Sequence, residues 1–265
     1  RAARSSARTI RFRECSGGKV LRSPHAHARI RGIDVSAALA LDGVHAVITG
    51  RDFPDVASEA GEGGEGGVDY RDLAMNVMAR DKALYHGHAV AAVAATSARI
   101  AEEACRRIAV DYEVLTPVLS LEAALAKDAP ILHADLRATG HEPLPIGPTN
   151  VASRRESGRG DLAAGFAAAD VVVEREFRTP MVHQGYIEPQ AVLARTGQDG
   201  RAVVWCCTQG SFTVRAFCAK VLGLSNDMIK VIPTEIGGGF GGKTTVYVEP
   251  LAVLLSRKAG RPVKI

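Results

Sequence analysis

"IGGGFGGKTT", residues 236–245, holds five glycines from Gly237 to Gly242 and follows them with Lys243 and Thr244. The spacing from Gly237 to Thr244 satisfies G-x-x-x-x-G-K-[ST], the loop that cradles phosphates in P-loop nucleoside triphosphatases. That use requires a smooth apolar strand before the loop, a helix starting at Lys-Thr, and a later aspartate for magnesium. The preceding "MIKVIPTEI" carries Pro233 and Glu235 where such a strand should be smoothest, and Pro250 puts the next helix start well beyond Lys243. Only 21 residues follow Thr244, and Glu249 is the one acid among them. The P-loop hydrolase thus stays an alternative with its supporting parts missing. The physics of the glycines remains: with no Cβ in the way, backbone N–H groups can approach an anionic or polar ligand, and Phe240 can pack or stack beside it. A glycine-rich turn without any ligand is the plainer possibility.

Working outward, the chain of 265 residues with 46% hydrophobic content can bury a sizeable core and suits two domains. The net charge is +4, and five arginines crowd into "RAARSSARTIRFREC" at the start. No aromatic interleaving or recognition motif accompanies them, so no nucleic-acid partner is expected. The five cysteines form no C-x-x-C pair, a pattern that fits buried thiols in a reducing compartment. No run of about 18 apolar residues is present, so a soluble, cytoplasmic protein with no membrane span is expected. His25/His27 and His86/His88 are His-x-His pairs that could face one way on a strand, yet neither has a third ligand in obvious register, and hydrogen-bonded histidines at strand ends are the expectation.

Periodicity predicts strands at "KVLRSP", "HARIRGID" and "VHAVIT", a buried strand within "ALYHGHAVAAVAAT", an amphipathic helix after Ser97, and a strand at "VDYEVL". "GEGGEGG" (61–67) reads as a flexible surface loop. From about residue 127 the chain turns rich in Pro, Gly and polar residues, as a linker would. Beyond it come a short helix capped by Asp161, a strand at "VVVEREFRT" (171–179), a strand pair around Gln198–Gly200, a helix opening at Ser211, and the strand that enters the glycine run.

"TQGSFTVRAFCAKVLGL" followed by "IGGGFGGK" resembles the molybdopterin-binding large subunit of the xanthine dehydrogenase and aldehyde oxidase family of molybdenum hydroxylases. "LRSPHAHARIRGID", "GVHAVITGRDFP", "GHAVAAVAA" and "IAVDYEVLTPV" resemble its α/β-hammerhead domain, and "HQGYIEPQAVLA" resembles the start of its molybdenum domain. The resemblance implies an α+β fold: residues 1–18 an atypical or disordered end, 19–126 the hammerhead domain, 127–144 a linker, and 145–265 the first part of the molybdopterin-binding domain. In residues 1–18 the family's acidic, tyrosine-containing entry strand is missing. The second part should expose apolar surface that further chain covers in the family.

For chemistry, the resemblance implies a metal-binding oxidoreductase that carries molybdenum on molybdopterin, as the cytosine dinucleotide. It would hydroxylate an electron-poor carbon of a small molecule and pass electrons to 2Fe-2S clusters and FAD on partner subunits. An iron–sulfur subunit, an FAD subunit and a dimer of heterotrimers are the partners implied. By motif position, Gln209 would hydrogen-bond a ligand of the metal, while Gly238, Gly239, Phe240 and Gly241 would bring main chain to the pterin. No side chain is expected to ligate the metal directly. The family's general base lies far downstream of the matching motifs, so no catalytic residue is expected here and the fragment alone should be inactive. Glu188 in "YIEP" is tempting as a base, but an acid before a proline at a strand start reads better as structural. Thr244 stands where xanthine-oxidising members place a purine-binding glutamate, which weakens a purine substrate; aldehydes, aromatic heterocycles and related substrates stay open. A non-catalytic interaction domain is the remaining alternative.

Overall fold

The computed structural model describes residues 10, 12, 14–63 and 66–265. In chain order the elements are β1 (Ser16–Arg22), β2 (Ala28–Asp34), α1 (Ser36–Leu39), β3 (Val44–Thr49), β4 (Ala60–Gly63), β5 (Gly66–Asp69), α2 (Tyr70–Val77), β6 (Lys82–Ala83), β7 (Ala89–Ala95), α3 (Ala98–Arg106) and β8 (Ala109–Val114). They continue with α4 (Leu121–Leu125), β9 (Thr139–Gly140), β10 (Ser153–Arg154), α5 (Leu162–Ala167), β11 (Val192–Thr196), β12 (Ala202–Cys206), α6 (Ser211–Leu222), β13 (Ile229–Pro233), α7 (Glu249–Ala259) and β14 (Val263–Lys264). Helices and mixed sheets make the fold α+β.

A seven-stranded sheet in the order β13-β12-β11-β14-β1-β7-β3 organises the larger part of the molecule. Its logic is clearest at β7, "AVAAVAA", every residue of which is buried. Successive side chains of a strand point to opposite faces. Ala91, Val93 and Ala95 pack with Ala101, Ala104 and Cys105 of α3, while Ala92 and Ala94 join the cluster containing Leu251 and Leu255 of α7. A strand covered on both faces must be apolar throughout, and that is why alternation is missing from its sequence. Ser97 caps α3 by accepting from the Ile100 N–H at 3.2 Å. A smaller sheet, β6-β2-β8, and the hairpin β4–β5 complete this part. The hairpin occupies the stretch expected to be a loose loop: its glycines leave the backbone free to pair, Gly61 with Val68.

The compact units do not part where the composition shift suggested. Residues up to Leu115 group with Gln184–Ile265, and Thr116–His183 form the other unit. The reason is a parallel pairing of β1 with β14, Ser16 opposite Val263, that puts strands from both chain ends into one sheet. Ser16, Gly17 and Gly18 lie in β1, so the atypical end stops short of residue 18; residues 1–9, 11 and 13 of it lie outside the described residues. The expected linker, 127–144, falls inside the second unit, where Asn150 gathers the chain: its Oδ1 accepts from Leu132 N–H and its Nδ2 donates to the carbonyls of Ala124 and Pro130. Asp161 caps α5 as expected, accepting from Ala164 N–H.

The strand expected at 171–179 does not form. Val171, Val172, Val173, Phe177, Met181 and Val182 are all exposed, and no ladder partner reaches them. β-propensity is realised only within a ladder, and this unit's described ladder, the two-residue pairing of β9 with β10, does not extend to these residues.

Candidate functional site

Two chain reversals meet beyond the sheet. β12 and β13 are parallel neighbours, Cys206 opposite Pro233, so the segments that leave them emerge at the same end. Ligand crevices of open sheets form outside the carboxyl ends of parallel strands. From β12 come Cys207, Thr208 and Gln209 before α6 begins; from β13 comes the glycine loop. Thr208 Oγ donates to the Lys243 carbonyl at 3.1 Å and Gln209 N–H donates to the same oxygen at 3.0 Å.

Gln209 is exposed, and its side chain lies over the loop. Its Oε1 accepts from the Gly241 N–H at 3.1 Å and the Lys243 N–H at 3.2 Å. Two backbone donors on one atom fix that atom as the oxygen, so the NH₂ end is turned the other way. No protein acceptor meets that NH₂ group among the described residues. A Cβ on Gly239 would lie 2.5 Å from Gln209 Oε1, so a larger residue at 239 would have to displace the Gln209 side chain. Phe240 adopts φ 48°, left-handed backbone that is costly for an aromatic residue, with its ring mostly exposed at 72%.

The loop's own N–H groups divide cleanly. Gly237 donates to Glu188, Gly241 and Lys243 to Gln209, and Gly242 to the Gly239 carbonyl at 2.7 Å. The consecutive N–H groups of Gly238, Gly239 and Phe240 have no acceptor among the described residues, although Gly239 is buried. Of the three only Gly239 is buried, where an unpartnered donor is rare, and consecutive N–H groups left open in this way can form an anion-binding concavity. The residues present therefore fit a polar, electron-rich group held by main chain and one amide. Thr244 turns its hydroxyl back onto the Gly241 carbonyl at 2.9 Å.

Lys243 settles the nucleotide question. Its ammonium is fully buried and pairs with Glu188 at 2.9 Å, and it lies 4.7 Å from the centre of the Tyr186 ring. A lysine so enclosed does not reach a phosphate, and the next helix, α7, begins at Glu249 rather than at the Lys-Thr pair. Burial would raise the Glu188 carboxyl, but hydrogen bonds from Gly237 N–H and Lys243 outweigh it and hold the group below the usual carboxylate range. Glu188 is thus an ionised structural acceptor. Sequence reasoning undervalued this pair: the partners stand 55 residues apart, and no spacing rule links them.

Elsewhere, the His-x-His pairs do not converge on a site. His88 is buried with Nε2 at the Met75 carbonyl and Nδ1 at the Leu84 N–H, and His25 meets Tyr112 edge-on. Burial pushes the thiols of Cys105, Cys206, Cys207 and Cys218 upward, which keeps them protonated and unreactive. Among the described residues no group of three or more His, Cys, Asp or Glu could hold a metal ion. No helix among them is long and apolar enough to cross a membrane.

Fold and site together present a loop of main-chain donors at the end of a sheet, and comparison with known proteins gives the class. Residues 9–116 match the aldehyde oxidase and xanthine dehydrogenase a/b hammerhead domain, and residues 144–265 match the molybdopterin cofactor-binding domain. The chain is 35% identical to a probable hypoxanthine oxidase of Escherichia coli K12 over 92% of this chain and 28% of that protein. It is 32% identical to the nicotinate dehydrogenase large molybdopterin subunit of Eubacterium barkeri, over 93% of this chain and 53% of that one. The crystal structure of quinoline 2-oxidoreductase from Pseudomonas putida 86 superposes with a TM-score of 0.80 at 32% identity, covering 98% of this chain and 32% of that one. The chain belongs to the molybdopterin-binding xanthine dehydrogenase and aldehyde oxidase family, and it spans about a third of the length of its solved relative.

Proposed function

We propose that this chain holds the molybdopterin cofactor of a molybdenum hydroxylase-type oxidoreductase, with Gln209, Gly238, Gly239, Phe240 and Gly241 as the residues that face it. The observation that carries this reading is the set of unpartnered donors, three consecutive N–H groups and the Gln209 NH₂, displayed on one loop. The bound cofactor would supply the two-electron chemistry of hydroxylating an electron-poor carbon. The chain's own residues bind and orient: the loop N–H groups hold electron-rich atoms, and Gln209 donates a hydrogen bond without adding charge. General-base catalysis is assigned to none of them.

The names of the relatives support the wider setting. Two of them are called a large molybdopterin subunit and a molybdenum-binding subunit, so iron–sulfur and FAD partner subunits, a dimer of heterotrimers and a cytoplasmic location are part of the proposal, as is the cytosine dinucleotide form. The substrate class is a small molecule with an electron-poor carbon, an aldehyde or aromatic heterocycle; a purine is disfavoured because Thr244 offers no carboxylate. The test is Gly239→Val in the cofactor-loaded protein. The new side chain must displace Gln209, so molybdenum per polypeptide should fall steeply with the fold intact. Full retention of the metal would reduce the glycine run to a turn.

A further inference from the structure

We propose that Glu188 and Lys243 are positioning residues that clasp the glycine loop, so that only its central N–H groups remain free for a ligand; this rests on the cofactor-binding reading above. A single oxygen, Glu188 Oε2, accepts from the Gly237 N–H at 2.7 Å and from Lys243 Nζ at 2.9 Å, and so ties both ends of the seven-residue loop to one atom. The Glu188 N–H returns a 3.4 Å bond to the Gly237 carbonyl. A Cβ on Gly237 would come within 2.7 Å of the Glu188 Cβ, so the two backbones are drawn as close as glycine allows. Gln190, two residues on, donates from Nε2 to the Gly242 carbonyl and to the Tyr186 hydroxyl, both at 3.2 Å. The segment 184–190 therefore braces the loop from one side and Gln209 braces it from the other.

A buried ion pair is a poor way to gain stability, because desolvation consumes most of the Coulombic attraction and a well-packed apolar pair serves as well. What an apolar pair cannot do is accept a backbone N–H at one end of a loop while holding the side chain of its other end. The clasp makes the difference between a loop whose N–H groups bond among themselves and one that presents three of them.

The experiment compares the parent protein, purified with its cofactor, with Lys243→Met, with the charge-free double variant Glu188→Leu/Lys243→Met, and with Gly239→Val. Molybdenum per polypeptide, the melting temperature and hydrogen exchange of the 237–243 amides are read for each. The double variant removes both charges, so its melting temperature should stay near the parent's. Its cofactor affinity should nonetheless fall about tenfold to a hundredfold, as for the loss of groups that orient a metal site from behind. Its loop amides should exchange faster while those of β7 and α7 stay protected. A double variant with parental metal content and parental loop protection overturns the clasp. Metal loss in Gly239→Val alone then leaves the cofactor reading standing, whereas metal retention in Gly239→Val overturns that reading and leaves the exchange data to decide the clasp. Should the double variant not accumulate, Glu188→Gln keeps an oxygen for Gly237 and deletes the charge: faster loop exchange supports the clasp, and unchanged exchange overturns it.

Discussion

The buried strand β7 and the glycine loop belong to one compact unit and are held by opposite physics. β7 has no polar side chain; it is fixed by ladders to β1 and β3 and by apolar contact with α3 on one face and α7 on the other. The loop has almost no apolar packing of its own; it is fixed by individual hydrogen bonds to Glu188, Gln190 and Gln209. Burial is non-directional and tolerates small shifts, whereas a loop pinned atom by atom presents its free donors in one arrangement. Stability should therefore reside in the first region and ligand binding in the second, with substitutions in each sorting accordingly.

The largest expected effect lies in α7, which covers the sheet. Leu255 is fully buried in the cluster that covers β7, so Leu255→Ala should cost about 2–5 kcal/mol of unfolding free energy, measured by denaturant titration. Cofactor affinity of the molecules that remain folded should be unchanged. A variant that loses metal while keeping its stability would break the division between the two regions.

Next in size is Gln209→Ala. The side chain is exposed and contributes little packing, so the melting temperature should barely move. Loss of a hydrogen bond to a charged group should remove about 1.5–3 kcal/mol from cofactor or transition-state binding. Turnover of the complete enzyme would then drop roughly tenfold to a hundredfold. A large fall in melting temperature instead would show that Gln209 stabilises the loop for the fold's sake.

These two regions were not equally legible in the sequence. The run "AVAAVAA" announces a buried strand by composition alone, and Ser97 and Asp161 announce their helices by capping chemistry. The motif "TQG" and the glycine run pointed to the candidate site, and the structure brings the two together through Gln209. What the sequence concealed depends on contacts between distant positions. The pairing of Ser16 with Val263 joins chain ends that composition had assigned to separate domains. The Glu188–Lys243 clasp joins a carboxylate that reads as structural to a lysine in the glycine run, and with the two 55 residues apart nothing local announces that they pair. At 171–179 the local preference was strong, yet the segment joins no ladder and its valines stay exposed.

Acid should distinguish the regions further. The Glu188 carboxyl is raised by burial but more strongly lowered by Gly237 and Lys243, so its folded value lies below its unfolded one. Its contribution is complete above about pH 4.3, the ordinary glutamate value, and is lost as pH falls through the lower folded value. Hydrogen exchange of the 237–243 amides should accelerate over that acid window relative to the intrinsic rate, while β7, with nothing to titrate, should hold longer. In Glu188→Gln the acid-induced acceleration should disappear. An unchanged acid response in that variant would assign the titration to another group.

The smallest expected effect tests the apolar segment that found no partner. Val172 and Val173 are exposed at 59% and 71%, so their methyl groups remain mostly in water in the folded chain. Exchange of one for threonine keeps the branched shape and adds a hydroxyl where solvent already hydrates it. Stability of the chain should then change by no more than about 0.5 kcal/mol, as for surface positions without special features. The same Val→Thr change within β7, at Val93, would bury an unpaired hydroxyl between α3 and the sheet, at a cost of about 1–3 kcal/mol. Equal costs at Val173 and Val93, measured in parallel urea titrations, would mean that the 171–182 segment is covered in solution.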